Sequence, residues 1–120
     1  MYEIIFYEDR NGNSPIRDYL NELALKNDGD SRINLNKINR YFSKLSQRGT
    51  RCGEKFVKHL EGEIWELRPT PNRLLFAAWV ENSFVVLHHF RKDTQKTPRR
   101  EIERAKKELA DFRERKNCHD

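Results

Sequence analysis

Arg68, Arg73, Lys92 and Lys96 are the residues of this 120-residue chain whose types and spacing suggest chemistry. Arg68 closes the stretch EIWELRP and Arg73 opens RLLFAAWV, with Pro71-Asn72 as a turn between them. If both stretches are strands, the two guanidiniums come near one another across a hairpin. They repel unless an anion sits between them, and the planar fork of arginine matches phosphate oxygens. The plainer reading is that Arg68 pairs with Glu66 or another carboxylate and does nothing else. Arg91, Lys92 and Lys96 follow at the end of a later apolar run, and Arg99 and Arg100 lie on the first turn of the helix beyond. Cations at a helix N-terminus oppose its dipole, at a cost of up to ~1 kcal/mol. Either an anion binds there among basic neighbours, or these residues are a solvated charge run. His88 and His89 are adjacent, so in a strand they face opposite sides. One is then packed, while the other can face a groove as an acid or base. His59 is ambiguous. Cys52, Cys118 and the histidines have no metal-ligand spacing, and no glycine-rich phosphate loop or serine elbow occurs. We therefore expect no metal and no cofactor.

The elements that must position these residues follow from periodicity. YEIIFY (Tyr2 to Tyr7) reads as a strand ending in an Asn11-Gly12-Asn13 turn. Ser14-Pro15 caps a helix whose Ile16, Tyr19, Leu20 and Leu23 share one face. Asp28-Gly29 breaks it, and Asp30 or Ser31 starts a second helix carrying Ile38, Tyr41, Phe42 and Leu45, ended by Gly49. Lys37, Arg40, Lys44 and Arg48 form a basic stripe on another side of that helix, which reads as a solvated face. Four strands follow over 55–60, 63–69, 73–80 and 83–92, joined by tight turns at Glu61-Gly62, Pro71-Asn72 and Glu81-Asn82. Thr97-Pro98 caps a last helix with Ile102, Ala105, Leu109 and Phe112 along one stripe. The prediction is an α+β fold: an antiparallel-rich sheet of about five strands, two N-terminal helices on one face, and a C-terminal helix. By parity, helices on the Trp65/Leu67 face leave Glu66 and Arg68 on an open face.

The net charge of +5 is uneven. Residues 1–90 carry 13 Lys/Arg against 12 Asp/Glu, and residues 91–116 carry 11 against 6. This favours an anionic partner at the strand-to-helix junction. The 13 aromatic residues argue against disorder. One domain is expected over 1–116, with a frayed tail over 117–120. Two unpatterned cysteines suit free thiols in a reducing compartment, and neither a membrane-length apolar run nor a signal peptide is visible, so the expected location is cytoplasmic.

The run LEGEIWELRP…NRLLFAAWVENSFVVLHHFRKDTQKTPRREIERAKKEL resembles the HigB-type toxins of the RelE/ParE superfamily, small toxins of bacterial type II toxin–antitoxin modules. The likeness covers most of the chain. Its most specific part is the strand-end-to-helix signature (an aromatic, basic residues, K-T-P, then a charged helix), combined with WELR and NRLLF. The resemblance implies a concave basic groove beside the sheet and a metal-independent mRNA endonuclease acting in the ribosomal A site. In such enzymes the ribose 2′-oxygen attacks the adjacent phosphorus, leaving a 2′,3′-cyclic phosphate and a 5′-hydroxyl end. It implies that Arg68 and Arg73 grip the phosphate, that Lys92 or Arg91 stabilises the transition state, and that Lys96 adds charge. Phe90 either stacks on a base or faces the core, and Glu66, His88 and Arg99 complete the expected substrate contacts. RelE relatives carry two lysines where this chain has Ile64 and Glu66, so their acid and base do not transfer. Glu66, a groove-facing His88 or His89, or a lysine of lowered pKa could take the 2′-hydroxyl proton. The implied partners are a HigA-like helix-turn-helix antitoxin, the ribosome and mRNA, with no membrane. The alternatives are a ParE-like inhibitor of DNA gyrase and a nucleic-acid-binding domain without catalysis.

Overall fold

A run of β-branched and aromatic residues starts the chain, and period-3.6 segments follow it before four more strands and a final helix. The computed structural model describes residues 1–69, 71–92 and 96–117. Strand β1 (Glu3–Phe6) leads to helices α1 (Pro15–Leu25) and α2 (Gly29–Arg48), then a short 3₁₀ turn (Gly49–Cys52). Strands β2 (Val57–Glu61), β3 (Ile64–Leu67), β4 (Asn72–Trp79) and β5 (Ser83–Arg91) precede helix α3 (Arg99–Asn117). The sheet order is β1-β5-β4-β3-β2, an antiparallel meander with β1 added parallel to β5.

Local chemistry sets the helix ends. The Ser14 hydroxyl accepts the Arg17 amide at 3.2 Å, with Pro15 at the first helical position. Helix α2 begins earlier than expected. The Asp28-Gly29 pair is not only a break, because the Asp28 carboxylate accepts the Ser31 amide at 2.8 Å and its hydroxyl at 3.1 Å. Thr97 does not cap α3: its hydroxyl donates to Glu66 at 2.6 Å, and the Pro98 carbonyl accepts the amides of Glu101 and Ile102. Helix α3 runs to Asn117, and the rest of the expected tail, with Cys118 and His119, lies outside the described residues.

Two apolar cores lie on opposite faces of the sheet. Ile16 and Leu23 of α1 and Ile38, Tyr41 and Leu45 of α2 pack on Leu67, Leu74, Phe76 and Val86. Ala105, Leu109 and Phe112 of α3 pack on Ile64, Leu75, Val85 and Leu87. Strand β5 is therefore covered on both sides, which accounts for its nearly continuous apolar run. The expected open face does not exist over Glu66. That face carries α3, and Glu66 is fully buried.

Two bulges aim polar side chains at α3. The β4–β5 register passes from Leu75↔His88 to Phe76↔Val86, so Leu87 is the extra residue and His88 joins it on the α3 face. The β2–β3 register passes from His59↔Trp65 to Glu61↔Ile64, so Leu60 is extra and Glu61 also faces α3. Both bulged positions hold the helix. His88 is completely buried, with Nδ1 2.6 Å from Glu108 and Nε2 3.0 Å from Glu101. Glu61 accepts from Arg99 and Lys106. Among the described residues, no helix is long and apolar enough to cross a membrane.

Gly49 ends α2 at φ +63°, where a Cβ would meet the Tyr2 ring at 3.0 Å. We predict that Gly49→Ala lowers stability by about 1–3 kcal/mol, read by denaturant unfolding. Ion pairing to Arg99 and Lys106 lowers the Glu61 pKa from 4.5 to about 2, and the Tyr7 hydrogen bond lowers that of Asp111 on α3. Both folded values lie below the unfolded ones, so this stabilisation is present above pH 4.5 and fades as pH falls toward 2. Acid should therefore loosen α3 first. Trp79, edge-on to Phe112 at 5.1 Å, reports its docking by fluorescence, and Glu61→Gln should flatten the pH response over that range.

Candidate active site

Alternation along β3 places Ile64, Glu66 and Arg68 toward the α3 side, and alternation along β4 places Arg73 there too. On β5 the bulge decides which basic residue joins them. It puts Phe90 and Lys92 on this side and Arg91 on the other, where Arg91 lines a groove with Tyr19, Asn34 and Lys37. Without the extra residue, Arg91 would take the place of Lys92.

The result is one buried carboxylate ringed by cations. Glu66 Oε2 lies 3.6 Å from Arg68 Nε and 3.7 Å from Arg73 Nε, and Glu66 Oε1 lies 3.9 Å from Lys92 Nζ. The Thr97 hydroxyl donates to Oε1 at 2.6 Å. The Glu66 side chain has no exposure, against 8% for Lys92, 12% for Arg73 and 30% for Arg68. Arg68 is fixed from β2's approach: its Nη1 donates to the Glu54 carbonyl at 2.9 Å and its amide to the Phe56 carbonyl at 2.8 Å. Arg73 Nη1 donates to the Asn72 carbonyl at 3.2 Å. Burial pushes the Lys92 ammonium below its usual pKa, aided by Arg73, Arg68 and Lys58, while Glu66 opposes the shift. Among the described residues, Glu66 Oε2 and Arg73 Nε are buried with no hydrogen-bond partner.

Three of the four expected catalytic residues thus converge, though not as an open cationic floor, because the chain's own carboxylate fills the centre. Lys96 is exposed and immediately precedes Thr97. Phe90 is 9% exposed and packs in the α3 core, so it offers no face for base stacking. His88 is locked between two α3 carboxylates. His89 stacks on Tyr19 at 3.7 Å on the opposite side of the sheet, and burial lowers its pKa. Neither histidine faces the cluster. Arg99 binds Glu61 and Glu103, so the cation at the α3 N-terminus has carboxylate partners within the chain. Two residues escaped sequence reasoning. Lys58 stands opposite Glu66 in register, and its charge bears on Lys92. Thr97 has the form of a helix cap. Only the Lys58 signal was legible, through hairpin register.

Among the described residues, no group of three or more His, Cys, Asp or Glu could hold a metal ion. Removing the central carboxylate leaves buried cations uncompensated. Glu66→Ala should lower stability by about 3–5 kcal/mol, and Thr97→Val, which removes one hydrogen bond to a charged group, by about 1.5–3 kcal/mol. Chemical denaturation of both variants checks the order.

No curated protein matches the chain significantly. A family of phage-derived Gp49-like proteins (DUF891) matches it over residues 19–110, a span running from α1 into α3 and containing every member of the Glu66 cluster. Together with the sheet order and its flanking helices, this places the protein: the chain belongs to the Gp49-like family, a RelE/HigB-type toxin family of toxin–antitoxin modules, and its family implies an antitoxin partner.

Proposed function

We propose that this toxin is a HigB-type, ribosome-dependent mRNA endonuclease that inhibits translation without a metal ion. The observation that supports the reading is the convergence of Arg68, Arg73 and Lys92 on one carboxylate. Three cations and one anion leave a residual charge of two, which complements a dianionic phosphorane better than a monoanionic phosphodiester. Such a site favours the transition state over the ground state.

In this reading the RNA supplies the nucleophile. A phosphate enters over Arg68, the most exposed member, and Arg68 and Arg73 hold its non-bridging oxygens. Glu66 takes the proton of the 2′-hydroxyl as the 2′-oxygen bonds to phosphorus. The bond from phosphorus to the 5′-oxygen breaks, and Lys92 gives that oxygen a proton. The depressed pKa of Lys92 makes its ammonium a better acid. Lys58 and Lys96 add charge at the periphery. His88 and His89 take no part, being committed to α3 and to Tyr19. The antitoxin is HigA-like, with a helix-turn-helix fold, and the toxin acts in the cytoplasm.

The filled centre of the cluster favours one alternative, in which the cluster only holds the fold and the toxin acts as a ParE-like gyrase inhibitor or a non-catalytic RNA binder. Mapping new 5′ ends on translated messages after induction separates these. In-frame cuts within codons support the nuclease, and their absence with stalled replication supports gyrase inhibition. Arg73→Ala and Arg68→Ala should each lower cleavage by roughly 100-fold or more, with circular dichroism unchanged. Cleavage by wild-type protein should persist in EDTA with ribosomes stabilised by polyamines. Folded variants that remain fully toxic would place the site elsewhere.

A further inference from the structure

Much of the positive charge that the sequence places in its last quarter is neutralised by the fold. Arg99 binds Glu61 and Glu103, Arg104 binds Glu108, Arg113 binds Glu63, and Arg115 binds Asp111. The opposite holds on α2 and the 3₁₀ turn. From Ser31 to Gly53 the chain has six Lys/Arg and no Asp or Glu. Among the described residues, none of Arg32, Lys37, Arg40, Lys44, Arg48 and Arg51 has a carboxylate within 4.0 Å. Lys37 lies over the Tyr41 ring at 5.9 Å and Lys44 over the Phe56 ring at 5.9 Å, which holds both ammonium groups against the surface.

We infer that the outer face of α2 and the following 3₁₀ turn is a docking surface for the sugar–phosphate backbone of structured RNA, separate from the Glu66 cluster. Between Asn36 and Arg51 the exposed residues are Asn36, Asn39, Ser43 and Gln47 beside Arg40, Arg48 and Arg51. None of these is a large hydrophobic residue; the exposed apolar side chain of α2, Ile33, lies one turn before Lys37, at the edge of this face and not at its centre. Protein partners need apolar or aromatic anchors at the centre of a contact, whereas phosphate backbones are held by Lys, Arg, Ser, Asn and Gln. Lys37 to Arg48 spans about 16 Å of helix, long enough to meet several phosphates. The surface also leads toward the cluster. A groove of about 410 Å³ between the 3₁₀ turn and β2 is lined by Thr50, Glu54, Lys58, His59 and Trp65. Lys58 stands opposite Glu66 in register, and the Glu54 carbonyl just beyond the turn anchors Arg68. The choice of RNA as the polyanion rests on the nuclease reading. The face itself rests on the unpaired cations.

The test uses a fluorescein-labelled 2′-O-methyl RNA hairpin, which lacks the attacking hydroxyl, and measures anisotropy between about 50 and 200 mM salt. The triple variant Lys37→Gln/Arg40→Gln/Lys44→Gln should bind at least ~10-fold more weakly at the low-salt end, with a log–log salt slope shallower by about 2. Arg113→Gln, at an α3 cation already paired with Glu63 and outside both the cluster and this face, should keep nearly the wild-type slope. If the triple variant does not fold, Arg48→Gln/Arg51→Gln makes the same test with a slope change of about 1.4. Unchanged affinity and slope overturn the inference. So does a variant that keeps its RNA affinity but no longer binds the cognate antitoxin, since the face is then a protein contact. If the variant loses RNA binding while wild-type protein never cuts translated messages, the nuclease reading fails and the docking surface stands.

Discussion

A carboxylate removed from water cannot remain charged alone, and the Glu66 carboxylate is fully buried. Its neutralisation draws in residues from across the chain: Arg68 at the end of β3, Arg73 at the start of β4, Lys92 just past β5, and Thr97 before α3. Each cation is likewise held by the shared anion, since Arg68, Arg73 and Lys92 would otherwise repel one another at close range. The ion-pair distances of 3.6–3.9 Å are longer than direct hydrogen bonds. The cluster is therefore coupled by charge more than by hydrogen bonds: among the described residues, Glu66 Oε2 and Arg73 Nε make none. A saturated network would be a purely structural knot. Here two polar atoms of the cluster have no hydrogen bond among the described residues.

The placement of these groups depends on small backbone irregularities. The extra residue Leu87 shifts the parity of the end of β5, sending Lys92 rather than Arg91 toward Glu66. The same shift turns His88 inward to Glu101 and Glu108, which fastens α3 over the site. The second bulge, at Leu60, turns Glu61 toward Arg99 and Lys106 on the same helix. One device thus serves two ends: each bulge supplies α3 with a polar anchor, and one of them also selects a member of the cluster. Because α3 carries the acidic partners of His88 and follows Thr97, cluster and helix position one another.

Local pattern made most of the fold legible. Period-3.6 apolar spacing marked α1 and α2, alternation and turn residues marked the meander, and Ser14-Pro15 marked a helix start that the structure bears out. Arg68, Arg73 and Lys92 were legible as a group because strand ends joined by a tight turn must lie near one another. Two things were not legible. A bulge inserts one residue without any distinctive side chain, so the fates of Arg91, Phe90 and His88 could not be read by counting. Sequence adjacency also concealed who pairs with whom. Arg99 looked like an anion site because its partner Glu61 is 38 residues away, and Glu66 looked exposed because nothing in EIWELR announces that α3 crosses above it.

The distribution of charge follows from the same principle as the cluster. Where α3 packs on a sheet, its cations lie beside strand-borne and helical carboxylates, and pairing there helps to fix the helix. Where α2 faces solvent, no acid was placed along the whole stretch from Ser31 to Gly53. Folding gains nothing from that arrangement, since unpaired like charges at i, i+3 and i, i+4 spacing destabilise an isolated helix. Lys37, Arg40 and Lys44 stand at that spacing on an element whose stability must come from its buried Ile38, Tyr41 and Leu45. A single Glu on this surface would relieve the repulsion, so a stretch of 23 residues without one is better explained by a polyanionic partner than by the demands of the fold. The six cations of this face thus stand apart from the Glu66 cluster, whose own three cations share one carboxylate.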